Sequence, residues 1–270
     1  MNRLNAPNDK MGLVLSGGGI RGMAHIGLLK ALKEHNIEPA QIAGSSVGAL
    51  VGALYANGNS TDDMLNFFKE TPIFQYSFFA IGKPGLIDTA KYYNIFKRYF
   101  THDSFEELER KLYVVATDLL KGEEVLFSNG QLIYPLLASA ALTPIFSPIE
   151  IDDVLYADGG IMNNFPKEYL DDTCDFIIGS NVSIAEELKK RDLKNALQLA
   201  GRVTGLMIYA SCKEKLAQCD LFIEPTELEA IGVLDKKGIQ KAYTLGYDYT
   251  NRAIEKFLSK ESQKEVPHTR

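Results

Sequence analysis

Two segments of this 270-residue chain each join an apolar run to a helical pattern through glycines, and this repeated arrangement limits the possible folds more than any other feature. The first, Gly17-Gly18-Gly19-Ile20-Arg21-Gly22, follows the run Met11 to Ser16 (MGLVLS). It precedes Met23, Ile26, Leu29 and Leu32, apolar positions at helical spacing. The second, Gly44-Ser45-Ser46-Val47-Gly48, follows a short apolar piece that starts at Gln41. It leads into a small-residue helix, Val47 to Ala56, closed by Asn57-Gly58. Each reads as strand, tight turn, helix, the repeating unit of a sheet with parallel strands.

The same alternation continues along the chain. Leu112 to Thr117, Val154 to Tyr156, Asp175 to Asn181 and Leu221 to Glu224 read as strands. Helices are expected over Met64 to Glu70, with an N-cap in Ser60-Thr61-Asp62-Asp63, over Pro135 to Leu142, over about Ile184 to Gln218, and over Gly238 to Ser259. The last of these carries Ile239, Tyr243, Tyr247, Ile254 and Phe257 on one stripe. Thr71 to Phe100 is rich in Phe and Tyr and broken by Pro72 and Lys83-Pro84-Gly85, so an irregular, partly helical insertion is expected there. The pattern predicts an α/β fold whose mostly parallel sheet is covered by helices on both faces. Residues 8–260 are expected to form one domain, and 261–270 a polar tail.

Composition removes several function classes. A formal net charge of -6 argues against a nucleic-acid protein, which would show a basic patch, but leaves a lipid surface open. Met1 to Lys10 lack the apolar core of a secretory signal, and Val47 to Ala56 is too short to cross a bilayer. Three cysteines, with Cys212 and Cys219 about 10 Å apart along a presumed helix, fit a reducing cytosol better than a disulfide framework. The chain is thus expected to be cytoplasmic. It has no Cys-x-x-Cys or His-Glu-x-x-His spacing, so neither a metal nor a cofactor is expected.

Gly44-x-Ser46-x-Gly48 at a strand-to-helix bend suits a nucleophilic serine, because flanking glycines let the hydroxyl stand exposed at the carboxyl edge of a sheet. A small-residue helix start with Ser46 as its cap is the plainer alternative. The Gly17, Gly19, Gly22 spacing also fits a dinucleotide loop, but no acidic residue near position 42 is placed to hold a ribose. Successive amides of Gly17, Gly18 and Gly19 at a helix start, with Val47 beside them and the charge of Arg21 nearby, could instead hold an oxyanion. A purely structural turn is the remaining reading.

A serine hydroxyl needs a base, and the histidines, His25, His35, His102 and His268, are poorly placed in chain order. His25 falls inside the first helix and reads as a packing or hydrogen-bonding residue. Asp158, after a strand and before Gly159-Gly160, is the better partner for a direct serine-aspartate dyad, although Asp-Gly also reads as an ordinary turn.

Taken in order, Gly-Gly-Gly-x-Arg-Gly, Gly-x-Ser-x-Gly and Asp-Gly-Gly, with Ala116-Thr117-Asp118-Leu119 and the segment Ala138 to Phe146, resemble the patatin-like phospholipase family in its compact bacterial form. The resemblance runs from about Met11 to Phe165. One local departure is Leu142-Thr143-Pro144, where the family usually has Leu-Pro. The resemblance implies a three-layer α/β/α sandwich, Ser46 as nucleophile, Asp158 as its base, and an oxyanion hole in the glycine loop. It implies a lipid or other acyl-ester substrate; transfer to an alcohol or thiol, or acyl binding without turnover, are the alternatives. Phe74, Tyr76, Phe78 and Phe79 cluster between the proline breaks as candidate substrate-binding residues. They are expected either to form an exposed patch making transient membrane contact or to pack the insertion onto the core. The sequence leaves the oligomeric state open.

Overall fold

The computed structural model describes residues 10–72, 75–190 and 193–264. Five strands run parallel at its centre: β1 (Met11–Leu15), β2 (Gln41–Ser45), β3 (Lys111–Asp118), β7 (Phe176–Ser180) and β8 (Leu221–Ile223). Antiparallel β4 (Glu123–Phe127), β5 (Ile149–Ile151) and β6 (Val154–Asp158) extend the β3 side. The sheet order is β5-β6-β3-β2-β1-β7-β8, with β4 also paired to β3.

Every residue of β1 is buried, as a strand covered on both faces requires. Met11, Leu13 and Leu15 point to one side, where they join a core with α1 (Met23–Glu34), α2 (Val47–Ala56) and α8 (Ile239–Lys264). Val14 points the other way, with Ala43 and Tyr113, toward Leu170 of α6 (Glu168–Asp171) and Cys212 and Leu216 at the end of α7 (Ala196–Leu216). Two hydrophobic layers on one sheet make the three-layer α/β/α sandwich, each fully buried Leu or Ile contributing roughly 1.5–3 kcal/mol.

The helix α3 (Thr61–Glu70) starts at a capping box in which the Ser60 hydroxyl accepts from Asp63 N–H. Beyond it, the segment to Phe100 is irregular, with short turns and α4 (Tyr93–Phe96), as its composition suggested. A further short helix, α5 (Ile133–Ser139), underlies β3.

Three expectations are corrected. β4, β5 and α6 were not read from the sequence. The long helix expected from Ile184 begins only at Ala196, where the Asn195 side chain caps it by accepting from Gln198 N–H. Residues 181–189 are non-helical, their start tied to the glycine loop: Val182 N–H donates to Ser16 Oγ, and Ser183 Oγ to Gly17 O. At its other end α7 stops at Leu216, so Cys219 lies beyond it rather than on it, and all three cysteines are free. Finally, α8 continues to Lys264, past the expected helix end at Ser259.

Candidate active site

The turn between β2 and α2 holds Ser46 at φ 55 and ψ -128, a backbone conformation that non-glycine residues seldom adopt. Its neighbours make the turn possible. A Cβ on Gly48 would lie 2.2 Å from Leu15 O, and one on Gly44 2.7 Å from the Ala49 amide, so only glycine permits this approach of backbones. The Ser46 amide donates to Ser139 Oγ at 2.9 Å, fixing the bend from below.

Register brings Asp158 to the same edge. It pairs with Ala116 of β3, next to Val115, which pairs with Ser45 of β2. From there Ser46 Oγ donates to Asp158 Oδ2 at 2.6 Å. The other carboxylate oxygen accepts from Gly160 N–H at 2.8 Å, and Thr117 Oγ1 donates to the Asp158 carbonyl at 2.8 Å. Burial of this carboxylate pushes its pKa up to about 6, against the opposing pull of the Ser46 and Gly160 hydrogen bonds.

The glycine loop faces the pair, but its expected donors are not equivalent. Gly17 N–H is held by Asn164 Oδ1 at 3.1 Å, and Ile20 N–H by Val233 O at 2.8 Å. Gly18 and Gly19, both at positive φ, keep amides with no acceptor among the described residues, as does the first turn of α2 at Val47. Arg21 lines the same cavity, yet its guanidinium is turned away from the serine. It pairs with Glu229 at 2.9 Å and donates to the Ile231 and Glu229 carbonyls at 2.8 and 3.0 Å. The guanidinium expected to aid an oxyanion thus clamps the 226–231 segment, sharing the Glu229 carboxylate with Arg202.

Below the loop, His25 is fully buried, with Nε2 2.9 Å from Ser16 O and Nδ1 2.9 Å from Ser180 Oγ. Since a carbonyl can only accept, Nε2 carries the proton; burial lowers the pKa to about 4, keeping the ring neutral. This is the hydrogen-bonding role expected of it. Among the described residues no histidine lines the cavity; His268 lies outside them.

Ser46 and Asp158 open into a cavity of about 920 Å³ with a largely apolar wall that includes Phe67, Phe68, Tyr92, Phe96, Leu137 and Phe146. Of the candidate substrate-binding aromatics, the two whose side chains are described, Phe78 and Phe79, lie outside this wall. Phe74 lies outside the described residues, and Tyr76 falls in a short turn. Phe78 is half-buried and packs edge-on against Tyr92 of the core with ring centres 4.8 Å apart; Phe79 is 45% exposed, and neither lines the cavity. Both sit in a segment folded back by its own backbone hydrogen bonds, such as Asp88 N–H to Phe78 O.

A family model described as patatin-like phospholipase matches residues 13–171, which hold the glycine loop, the Ser46 turn and Asp158. The chain belongs to that family. An uncharacterized NTE family protein of Mycobacterium tuberculosis is 35% identical over 162 residues, covering 59% of this chain and 45% of that protein. The lysophospholipase nte1 of Aspergillus fumigatus is 25% identical over 285 residues, 93% of this chain and 18% of the relative. The chain spans less than half the length of these curated relatives. Among solved structures, VipD from Legionella pneumophila superposes with a TM-score of 0.55 at 16% identity, covering 93% of this chain and 68% of that one, a likeness of fold.

Sequence reasoning passed over two residues that shape this family site. Ser139 and Asn164 accept from backbone amides of the Ser46 turn and the glycine loop, respectively. Ser139 was visible within the Ala138 to Phe146 segment, and Asn164 four residues beyond Gly160, but only the folded register shows which amides they meet.

Proposed function

We propose that this chain is a serine acyl hydrolase acting on carboxylic esters of lipids through a Ser46-Asp158 dyad and an acyl-enzyme. The observation that carries this reading is the 2.6 Å hydrogen bond from Ser46 Oγ to Asp158 Oδ2 at the foot of an apolar cavity. Asp158 takes the hydroxyl proton as Ser46 attacks the ester carbonyl, then returns it to the leaving alcohol. Water repeats the cycle on the acyl-serine, with the same carboxylate as base.

A carboxylate is a weak base for a serine hydroxyl in water. Here burial raises its pKa to about 6, which leaves it mostly ionised at pH 7 yet more basic than an exposed aspartate. The amides of Gly18, Gly19 and Val47 are assigned to the developing oxyanion, at about 3 kcal/mol of barrier per donor. Gly17 and Arg21 are left out of that role, because both are engaged elsewhere. The apolar wall suits acyl chains, and membership of the phospholipase family favours a lipid substrate.

The test is hydrolysis of a short soluble aryl ester across pH. kcat/KM is expected to rise with pH through about 6 as Asp158 ionises. Ser46→Ala is expected to be inactive while folded. A flat profile between pH 5 and pH 8, or activity retained by Ser46→Ala, would remove the dyad.

A further inference from the structure

Helix α7 carries apolar residues on opposite sides. At about 100° per residue, Gly201, Gly205 and Ile208 fall on one side, and these line the cavity that holds Ser46. Leu199, Val203, Leu206 and Met207 fall on the other side and line nothing: they are 52%, 48%, 43% and 68% exposed. Among its described residues the helix is buried only near its end, at Cys212 and Leu216. An apolar helix face normally lies against a core, so this one is built to be covered.

The charge around it indicates by what. From 186 to 216 the sequence holds seven Lys or Arg against four Asp or Glu, in a chain whose net charge is -6. Lys189, Lys190 and Lys194 are exposed just before the helix, with exposed Glu186 and Glu187 nearby, and Lys213 is exposed near its end beside exposed Glu214. Basic residues flanking an apolar helix face match a surface that is anionic outside and apolar within.

We propose that the outer face of α7 seats this protein on a lipid bilayer bearing anionic headgroups, with its inner face forming the wall of the substrate cavity. The substrate side of this statement rests on the ester-hydrolase reading; the docking surface does not. One helix then has the bilayer on one side and the acyl cavity on the other, so a lipid leaving the bilayer has a short path to Ser46.

The chain has no tryptophan, so Met207→Trp places a single reporter on the face and Lys256→Trp a control on the exposed side of α8. With vesicles of phosphatidylcholine and phosphatidylglycerol, emission from Met207→Trp is expected to shift to the blue and that from the control to stay unchanged. In the otherwise unmodified chain, Leu199→Ser, Val203→Ser and Met207→Ser together are expected to lower vesicle partition at least about tenfold, since burying two methylenes is worth that factor. Their turnover of a soluble ester should stay within about twofold. Unchanged partition of the triple variant, or no blue shift, would overturn the proposal. Equal binding to purely phosphatidylcholine vesicles would overturn its anionic part. A dimer in sedimentation that the triple variant converts to monomer would show that a second copy covers the face. Failure of the unmodified chain to cleave the soluble ester would count against the hydrolase reading alone, leaving the vesicle result to stand by itself.

Discussion

The Ser46 turn and the first half of α7 face each other across one cavity, and they are built in opposite ways. At the turn, backbones press so closely that a single added methyl at Gly48 would overlap Leu15 O, and each polar group of the dyad has a partner within hydrogen-bond reach. On α7, a methyl added at Gly201 or Gly205 would meet nothing within 4 Å, and large apolar side chains lie open on the outer side. Chemistry needs reacting atoms held to a fraction of an ångström, whereas admitting a long acyl chain needs a wall that can yield. The contrast teaches that one cavity can divide these demands between its walls.

The sharpest way to break this contrast is the same substitution on both sides. Gly48→Ala is expected to destabilise by more than about 4 kcal/mol, or to prevent folding, because backbone rather than a flexible side chain is in the way. Gly205→Ala should leave stability unchanged or raise it by up to about 1 kcal/mol through helix propensity. Thermal melts that rank the two alike would refute the division.

The next largest effect concerns the charge at the rigid wall. Because burial raises the Asp158 pKa to about 6 from its ordinary 3.8, the folded protein holds the carboxyl proton more tightly than the unfolded chain does. Stability associated with the protonated form is complete below about pH 4 and is lost as pH rises through 6, amounting to about 3 kcal/mol at pH 7. Asp158→Asn, with similar shape and no charge, should therefore melt higher than the unmodified protein at pH 8, the gap closing by pH 4, while turnover falls at least about 10³-fold. A gap that widens on acidification would mean that the carboxylate is stabilised by its surroundings.

The smallest expected effect lies in the insertion. Phe78→Ser should cost about 2–3 kcal/mol by emptying its place against Tyr92, and Phe79→Ser under about 1 kcal/mol. Equal melting temperatures for the two would favour the exposed patch, the other of the two arrangements that the sequence left open for Phe78.

The same division governs what could be read in advance. β1, the glycine loop, α1, β2, the Ser46 turn and α2 were legible because each is specified locally, by an apolar run, glycines at fixed offsets and a helical period. β4 was not, because Glu123-Glu124-Val125-Leu126-Phe127 becomes a strand only through pairing with β3, and its side chains are exposed or half-buried. The stretch after Ile184 has strong helix formers in Glu186-Glu187-Leu188-Lys189-Lys190, yet bonds from Val182 and Ser183 to Ser16 and Gly17, 166 positions away, hold its start out of helix. Arg21 shows the same limit, since its partner Glu229 is 208 positions distant. Residues proposed to react were visible as motifs; those that merely hold them depended on contacts that no local pattern encodes.

The most direct test of the whole account is covalent: incubate the full chain with a fluorophosphonate and map the adduct by peptide mass spectrometry. A single stoichiometric adduct on Ser46, absent from Ser46→Ala and strongly slowed in Asp158→Asn, is the expected result. An adduct on Ser45 or another residue, or no adduct on a folded protein, would contradict the claim that Ser46 is a nucleophile served by Asp158.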